Sequence, residues 1–218
     1  MGRKILTSTQ EKFLALFGQD AALYGNFILS GGTALAGFYL QHRYSEDLNF
    51  FSAVEFDPQE IFPLLKKFLK PLHFQKIEYQ QSFNRNLYFF TGKKETLKTE
   101  FTYFPFYSVV TPTVKGNLKI DSLKDIAVNK VFTIYQKPRM RDFIDLYEIL
   151  RTKKWTLEPL LKLARIKFDT HIDPLQWGSR LLQVNSLQDY PRMIAPLNAS
   201  KMKLFFMREA KKSGTKIF

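Results

Sequence analysis

The chain has 218 residues and a formal charge of +13, and its 45% hydrophobic content, with 22 Phe and 10 Tyr, is too apolar for a disordered chain. It contains no Cys, which excludes disulfides, thiolate metal sites and a Cys nucleophile, and its three His (His42, His73, His171) are too widely spaced to build a metal site on one helical turn. The N-terminal MGRKILTSTQ lacks the apolar core of a signal peptide and no run approaches membrane-spanning length, so a soluble, cytoplasmic protein is expected.

The first half alternates short helices and strands. STQEKFLALFGQ places Phe13, Leu14 and Phe17 at helical spacing, with Ser8 as the expected N-cap. NFILS reads as a short strand. Gly31 and Gly32 punctuate it, and Thr33 is expected to cap the next helix, with Leu35, Phe38 and Tyr39 on one face. EDLNFFS reads as a second strand. Asp57 and Pro58 open a helix with Ile61, Leu64, Leu65 and Phe68 inward. HFQKIEYQ, RNLYFFTG and TLKTEFTYFPF then read as β segments separated by turn residues.

From Asp121 the pattern turns helical. DSLKDIAVNKVFTIYQ, RDFIDLYEILR, TLEPLLKLARIKF, PLQWGSRLLQVN and NASKMKLFFMREAKK each carry an amphipathic repeat, and in the last Leu204, Phe205 and Met207 are expected to pack inward. The expected organisation is an α/β core over residues 1–118 and a basic helical part over 119–218. Residues 111–218 hold 21 Lys and Arg against 10 Asp and Glu, so nearly all the positive excess lies there. Such a block suits a polyanion, and it suits plain solubility as well.

Residues two apart on a strand share a face. Asp47 and Asn49 therefore point one way, with Leu48 and Phe50 toward the core. Glu100 shares its face with Lys98 and Thr102. If these strands are neighbours, Asp47, Asn49 and Glu100 converge into an oxygen-rich set suited to Mg²⁺. Upstream, Ser30, Gly31, Gly32 and Thr33 open a helix whose free N–H groups form a phosphate cradle. Each part has a bland reading: a Gly-Gly tight turn, a solvated strand Glu, an Asp-x-Asn without function. The order of the parts raises the functional one.

GGTALAGFYLQHRYSEDLNFF resembles the signature of the abortive-infection AbiEii/AbiGii toxin nucleotidyltransferases, within the polymerase-β-like superfamily. SLKDIAVNKVFTIYQKPRMRDFIDLYEIL is similar to that family's distal motif. The resemblance implies an α+β fold: a polymerase-β-like mixed sheet with helices, followed by a helical C-terminal part. It implies that Ser30, Gly31, Gly32 and Thr33 hold nucleotide phosphates, that Asp47, Asn49 and Glu100 bind Mg²⁺ or Mn²⁺, and that Lys130 reaches the triphosphate. Asp47, Lys130 and Asp142 would be the catalytic set, with Arg43 and Asp145 as further candidates. Asn49 departs from the family's Asp; it loses one charge and cannot bridge two cations well. The implied partners are NTP, a tRNA or other RNA acceptor, and a DNA-binding antitoxin, with no membrane. Two readings follow: a toxin-type nucleotidyltransferase, or a catalytically impaired member that binds nucleotide, RNA or protein.

Overall fold

The computed structural model describes residues 5–214 and divides into two compact units. One holds the residues up to Tyr39 together with Tyr44–Ser122; the other holds Leu40–Arg43 together with the chain from Leu123 onward. The short piece Leu40–Arg43 thus joins the helical unit although it lies in the first fifth of the sequence.

The first unit is built on a seven-stranded mixed sheet. Helix α1 (Ser8–Phe17) begins at Thr7, not Ser8: Thr7 and Gln10 form a reciprocal capping box, which satisfies two N-terminal N–H groups at once. Helix α2 (Ala21–Asn26) is capped by Asp20 and leads into β1 (Ile28–Ser30). Helix α3 (Gly31–Leu35) follows directly and continues as a π-helical turn over Ala36–Leu40. Then come β2 (Leu48–Ser52), α4 (Pro58–Lys66, capped by Asp57), β3 (Lys76–Ser82), β4 (Arg85–Thr91) and β5 (Thr96–Tyr103). Two three-residue strands close the unit, β6 (Thr113–Lys115) and β7 (Leu118–Ile120). The strand order is β3-β4-β5-β2-β1-β7-β6, with β2 parallel to β5, β1 parallel to β7 and the other pairs antiparallel.

One sheet face carries a phenylalanine cluster. Phe17 stacks on Phe50 at 4.3 Å, Phe50 stacks on Phe101 at 4.9 Å, and Phe13 meets Phe68 and Phe90 edge-on. Each such ring contributes about 1.5–3 kcal/mol by burial alone. This face fixes the register: Leu48, Phe50 and Phe101 are buried, so Asn49 and Glu100, which pair in register, must emerge on the other face.

The second unit contains α5 (Leu123–Gln136), α6 (Met140–Lys153), α7 (Leu157–Lys167), α8 (Pro174–Leu182) and α9 (Ala199–Gly214), with a 3₁₀ turn at Gln183–Asn185. In α9 the inward face differs from expectation: Met202, Phe206 and Ala210 are buried, whereas Leu204 is 52% exposed. The run Leu204–Met207 is apolar all round, so periodicity alone does not choose its face, and Phe206 is drawn inward by edge-on packing against Phe143.

Candidate functional site

The sequence-predicted residues fall into two groups, one in each unit. In the first unit the turn from β1 into α3 is tight: Gly31 has φ +73°, and a Cβ placed there would stand 3.0 Å from Asn49 Nδ2. The positive φ favours glycine, and any Cβ would also make the Asn49 amide shift. The register pair Ser30 and Asn49 brings the amide against this turn. Among the described residues no hydrogen bond is made to the Asn49 side chain, so its amide is open to a ligand. Ser30 donates its hydroxyl to Asp121 Oδ2 at 2.7 Å, and Tyr39 donates to the Asp121 carbonyl. Thr33 does not cap its helix. Ser30 is the N-cap residue, its hydroxyl turned to Asp121 and making no capping bond, and the Thr33 hydroxyl donates to the Asp47 carbonyl at 2.5 Å. The bond pins the backbone of Asp47 to the start of α3.

Asp47, Asn49 and Glu100 do share one side of the sheet, and two cations share it with them. Lys98 Nζ donates to Asp47 Oδ2 at 2.9 Å, and both side chains are partly exposed. Arg85 forks onto Glu100, with Nε to Oε1 at 2.7 Å and Nη2 to Oε2 at 2.5 Å, and Thr102 donates to Oε1 at 3.0 Å. The hydrogen bond to Glu100 raises the Arg85 pKa; partial burial opposes this, and the charges of Glu100 and Asp47 add to it. Arg85 therefore feels both acids. Neither cation stands out in the sequence as part of the site. The signal for Lys98 is its position two residues before Glu100; Arg85 becomes visible only through the β4–β5 register, where it pairs with Thr102.

Few oxygens on this face are left without a cation partner. The carbonyl oxygen of Asn49 is unengaged, Asp47 keeps one oxygen outside its bond to Lys98, and both oxygens of Glu100 are held by Arg85. Among the described residues no cluster of three or more His, Cys, Asp or Glu is placed to hold a metal ion. The set thus suits one ion on hard oxygens better than a bridged pair.

The second group is a buried charge network in the helical unit. Lys130 Nζ lies 2.6 Å from Asp142 Oδ1 and 2.6 Å from Asp145 Oδ2. Asp145 also takes Arg43 in a fork, at 2.6 and 2.8 Å, and His42 Nε2 at 2.8 Å; Asp142 takes Arg139 at 2.9 Å. Both aspartates are fully buried. Burial alone would raise the Asp145 carboxyl, but Lys130 and Arg43, with hydrogen bonds from Arg43 and His42, hold it well below its ordinary value. Asp142 is lowered in the same way, with Lys130 and Arg139 outweighing burial. His42 and Arg43 are further fixed by backbone: Arg43 bridges to Met193, and the His42 carbonyl accepts from Ile194 and Ala195.

The cations expected to meet a polyanion are unequal. The Lys167 side chain is only 4% exposed and is paired with Asp125 at 2.7 Å, so it drops out of that set. Lys201, Arg208 and Lys211 are exposed on α9.

The comparisons agree with this architecture. A Helicobacter pylori protein assigned provisionally as a nucleotidyltransferase is similar in structure, with a TM-score of 0.61 at 18% identity over 99% of this chain and 97% of its own. The JHP933 protein of Helicobacter pylori matches with a TM-score of 0.58 at 20% identity, over 94% of this chain and 90% of its own. In sequence, an uncharacterized protein of Aquifex aeolicus (strain VF5) is 31% identical over 147 residues, 66% of each chain. Among the described residues no helix is long and apolar enough to cross a membrane. The sequence profile of the family described as nucleotidyl transferase AbiEii toxin, type IV toxin–antitoxin system, matches residues 14–212. The chain belongs to the AbiEii family of nucleotidyltransferase toxins, and its fold is the α+β nucleotidyltransferase fold with a helical C-terminal part.

Proposed function

We propose that the protein is a divalent-metal-dependent nucleotidyltransferase that moves a nucleoside monophosphate from an NTP to a hydroxyl of an RNA acceptor, tRNA first among them. The observation that carries this reading is the one-sided assembly of Asp47, Asn49 and Glu100, with Asn49 set against the Gly31 turn. The backbone of Ser30–Thr33 would receive the phosphates. Asp47 and Asn49, and Glu100 on release from Arg85, would hold Mg²⁺ or Mn²⁺. A bound ion supplies neutralisation of charge on the transferring phosphoryl group. The acceptor hydroxyl releases its proton to solvent as its oxygen forms a bond to the α-phosphorus, the bond from that phosphorus to the bridging oxygen breaks, and pyrophosphate leaves with the electron pair.

Lys130 has a prior commitment. Two buried carboxylates hold its ammonium, so we assign it first as their counter-charge, with any role at the triphosphate secondary. The surplus of cations in residues 111–218 supports an RNA acceptor, and the toxin family supports an antitoxin partner and an intracellular site of action. The test is incubation with NTPs labelled at the α- or γ-phosphate and a tRNA pool. Transfer of the α-label with the γ-label released as pyrophosphate is expected. The neutral Asn49 and the paired acids favour a second reading, a module that binds nucleotide or RNA without transfer; binding of either ligand with neither label transferred would establish it.

A further inference from the structure

The charges on the site face are balanced without any metal. Asp47 and Glu100 supply two negative charges, Lys98 and Arg85 two positive ones, and Asn49 none. A carboxylate at position 49 would add a third negative charge and a ligand able to bridge two cations. The chain has an amide there, and the adjacent strand β5 places an ammonium on the neighbouring acid, Asp47. The two features are complementary: one removes the ligand that a second ion needs, and the other supplies a fixed cation where that ion's charge would have fallen.

We propose that Lys98 is a built-in second cation of this site: its ammonium occupies one oxygen of Asp47 in place of a second divalent ion, so that the chain binds a single ion with Asp47 and Asn49. The inference rests on the nucleotidyltransferase reading and deepens it. The geometry supports it in three ways. Lys98 reaches Asp47 from a β5 position on the same face as Glu100, so its reach is set by strand register and not by a loop. Its side chain is only partly exposed, which lessens screening relative to a freely solvated lysine. Glu100, the other acid able to recruit a second ion, has both oxygens in the Arg85 fork. A bound ammonium cannot activate water or polarise a phosphoryl oxygen as a metal does, so Lys98 contributes charge and position only.

The experiment is titration of the full chain with Mn²⁺ alone, reading the free aquo-ion by electron paramagnetic resonance. The variants are Lys98→Met, Lys98→Gln, Lys98→Arg, Asn49→Asp and the double variant Asn49→Asp with Lys98→Gln. One ion per wild-type chain is expected. Lys98→Gln should bind that ion at least about fivefold more tightly, because a competing charge is gone, whereas Lys98→Arg should match the wild type. The double variant should bind two ions. Lys98→Met is paired with Lys98→Gln, which keeps a hydrogen-bond donor, so that a folding defect in one does not decide the matter. Wild-type binding of one ion with no change on removing the Lys98 charge, and one ion still in the double variant, would overturn the Lys98 assignment and leave the metal site standing. Failure of every variant to bind Mn²⁺ would overturn the metal site and this inference together.

Discussion

At the residue scale, function depends on which polar groups are free to meet a ligand. Gly31 is the sharpest case, because its positive φ strains any side chain and a Cβ there would push on the Asn49 amide. Gly31→Ala should lower stability by about 1–3 kcal/mol in urea unfolding and reduce transfer by more than that loss explains, since the new methyl displaces Asn49. Asp142 and Asp145 make a separate prediction on pH. Both carboxyls are depressed below their ordinary value of 3.8 in the fold. A depressed acid adds stability that is fully present above its unfolded value and is lost as the pH falls toward the folded one. Unfolding free energy should therefore show no loss from these two groups between pH 7 and about 5, then fall steeply below about pH 4. In Asp142→Asn that acid-side slope should be shallower, as chemical denaturation at several pH values will read. The residue scale is also where the sequence is least informative. Asp-x-Asn on one strand and Glu100 on another are legible from alternation. That Lys98 and Arg85 neutralise the two acids is not, because cross-strand pairing depends on register and not on spacing within one strand.

At the element scale the sheet explains what is legible. Strands β2 to β5 and helices α1 and α4 to α9 can be found because each carries a period of 2 or 3.6 residues or a clear cap. The three-residue strands β1, β6 and β7 are too short to show a period, and β1 is legible only from the Gly31 and Gly32 that punctuate it. Thr7 with Gln10 and Ser8 with Glu11 both fit a capping box by spacing; α1 starts at Thr7, whose partner Gln10 is also held by the Ser45 and Glu46 carbonyls. Helix α9 carries a direct test of its corrected face. Phe206→Ala should cost about 3–5 kcal/mol, as for a buried aromatic; Leu204→Ala should stay within about 0.5 kcal/mol, as for a surface site. Equal costs in thermal or urea unfolding would put Leu204 back on the inward face. Helices α5 and α6 meet through Lys130 between Asp142 and Asp145. Lys130→Met should destabilise by about 3–5 kcal/mol, because it leaves two buried carboxylates short of a counter-charge. A variant that unfolds at the wild-type midpoint yet has lost triphosphate binding would show instead that Lys130 serves the nucleotide.

At the scale of the whole molecule, the two units differ in composition. The sheet unit carries Asp47, Asn49, Glu100 and the Gly31 turn, and the helical unit carries most of the positive excess. If the acceptor is RNA, affinity for tRNA should fall steeply with salt, and replacing Lys201, Arg208 and Lys211 by Ala should flatten that slope by about 1 for each phosphate left unneutralised. A slope unchanged by the triple replacement would remove α9 from the RNA surface. The split also explains why His42 and Arg43, so close in sequence to Asp47, belong to a different network: their partner Asp145 lies about a hundred residues on, at a distance no local pattern reveals. The most direct measurement is α-label transfer to RNA across a Mg²⁺ series for the wild type, Asp47→Ala and Asn49→Asp. Transfer by the wild type is expected, with none by a folded Asp47→Ala and half-maximal transfer at lower Mg²⁺ for Asn49→Asp. Transfer by Asp47→Ala at the wild-type rate, or an unchanged Mg²⁺ dependence in Asn49→Asp, would contradict the assignment of the metal site.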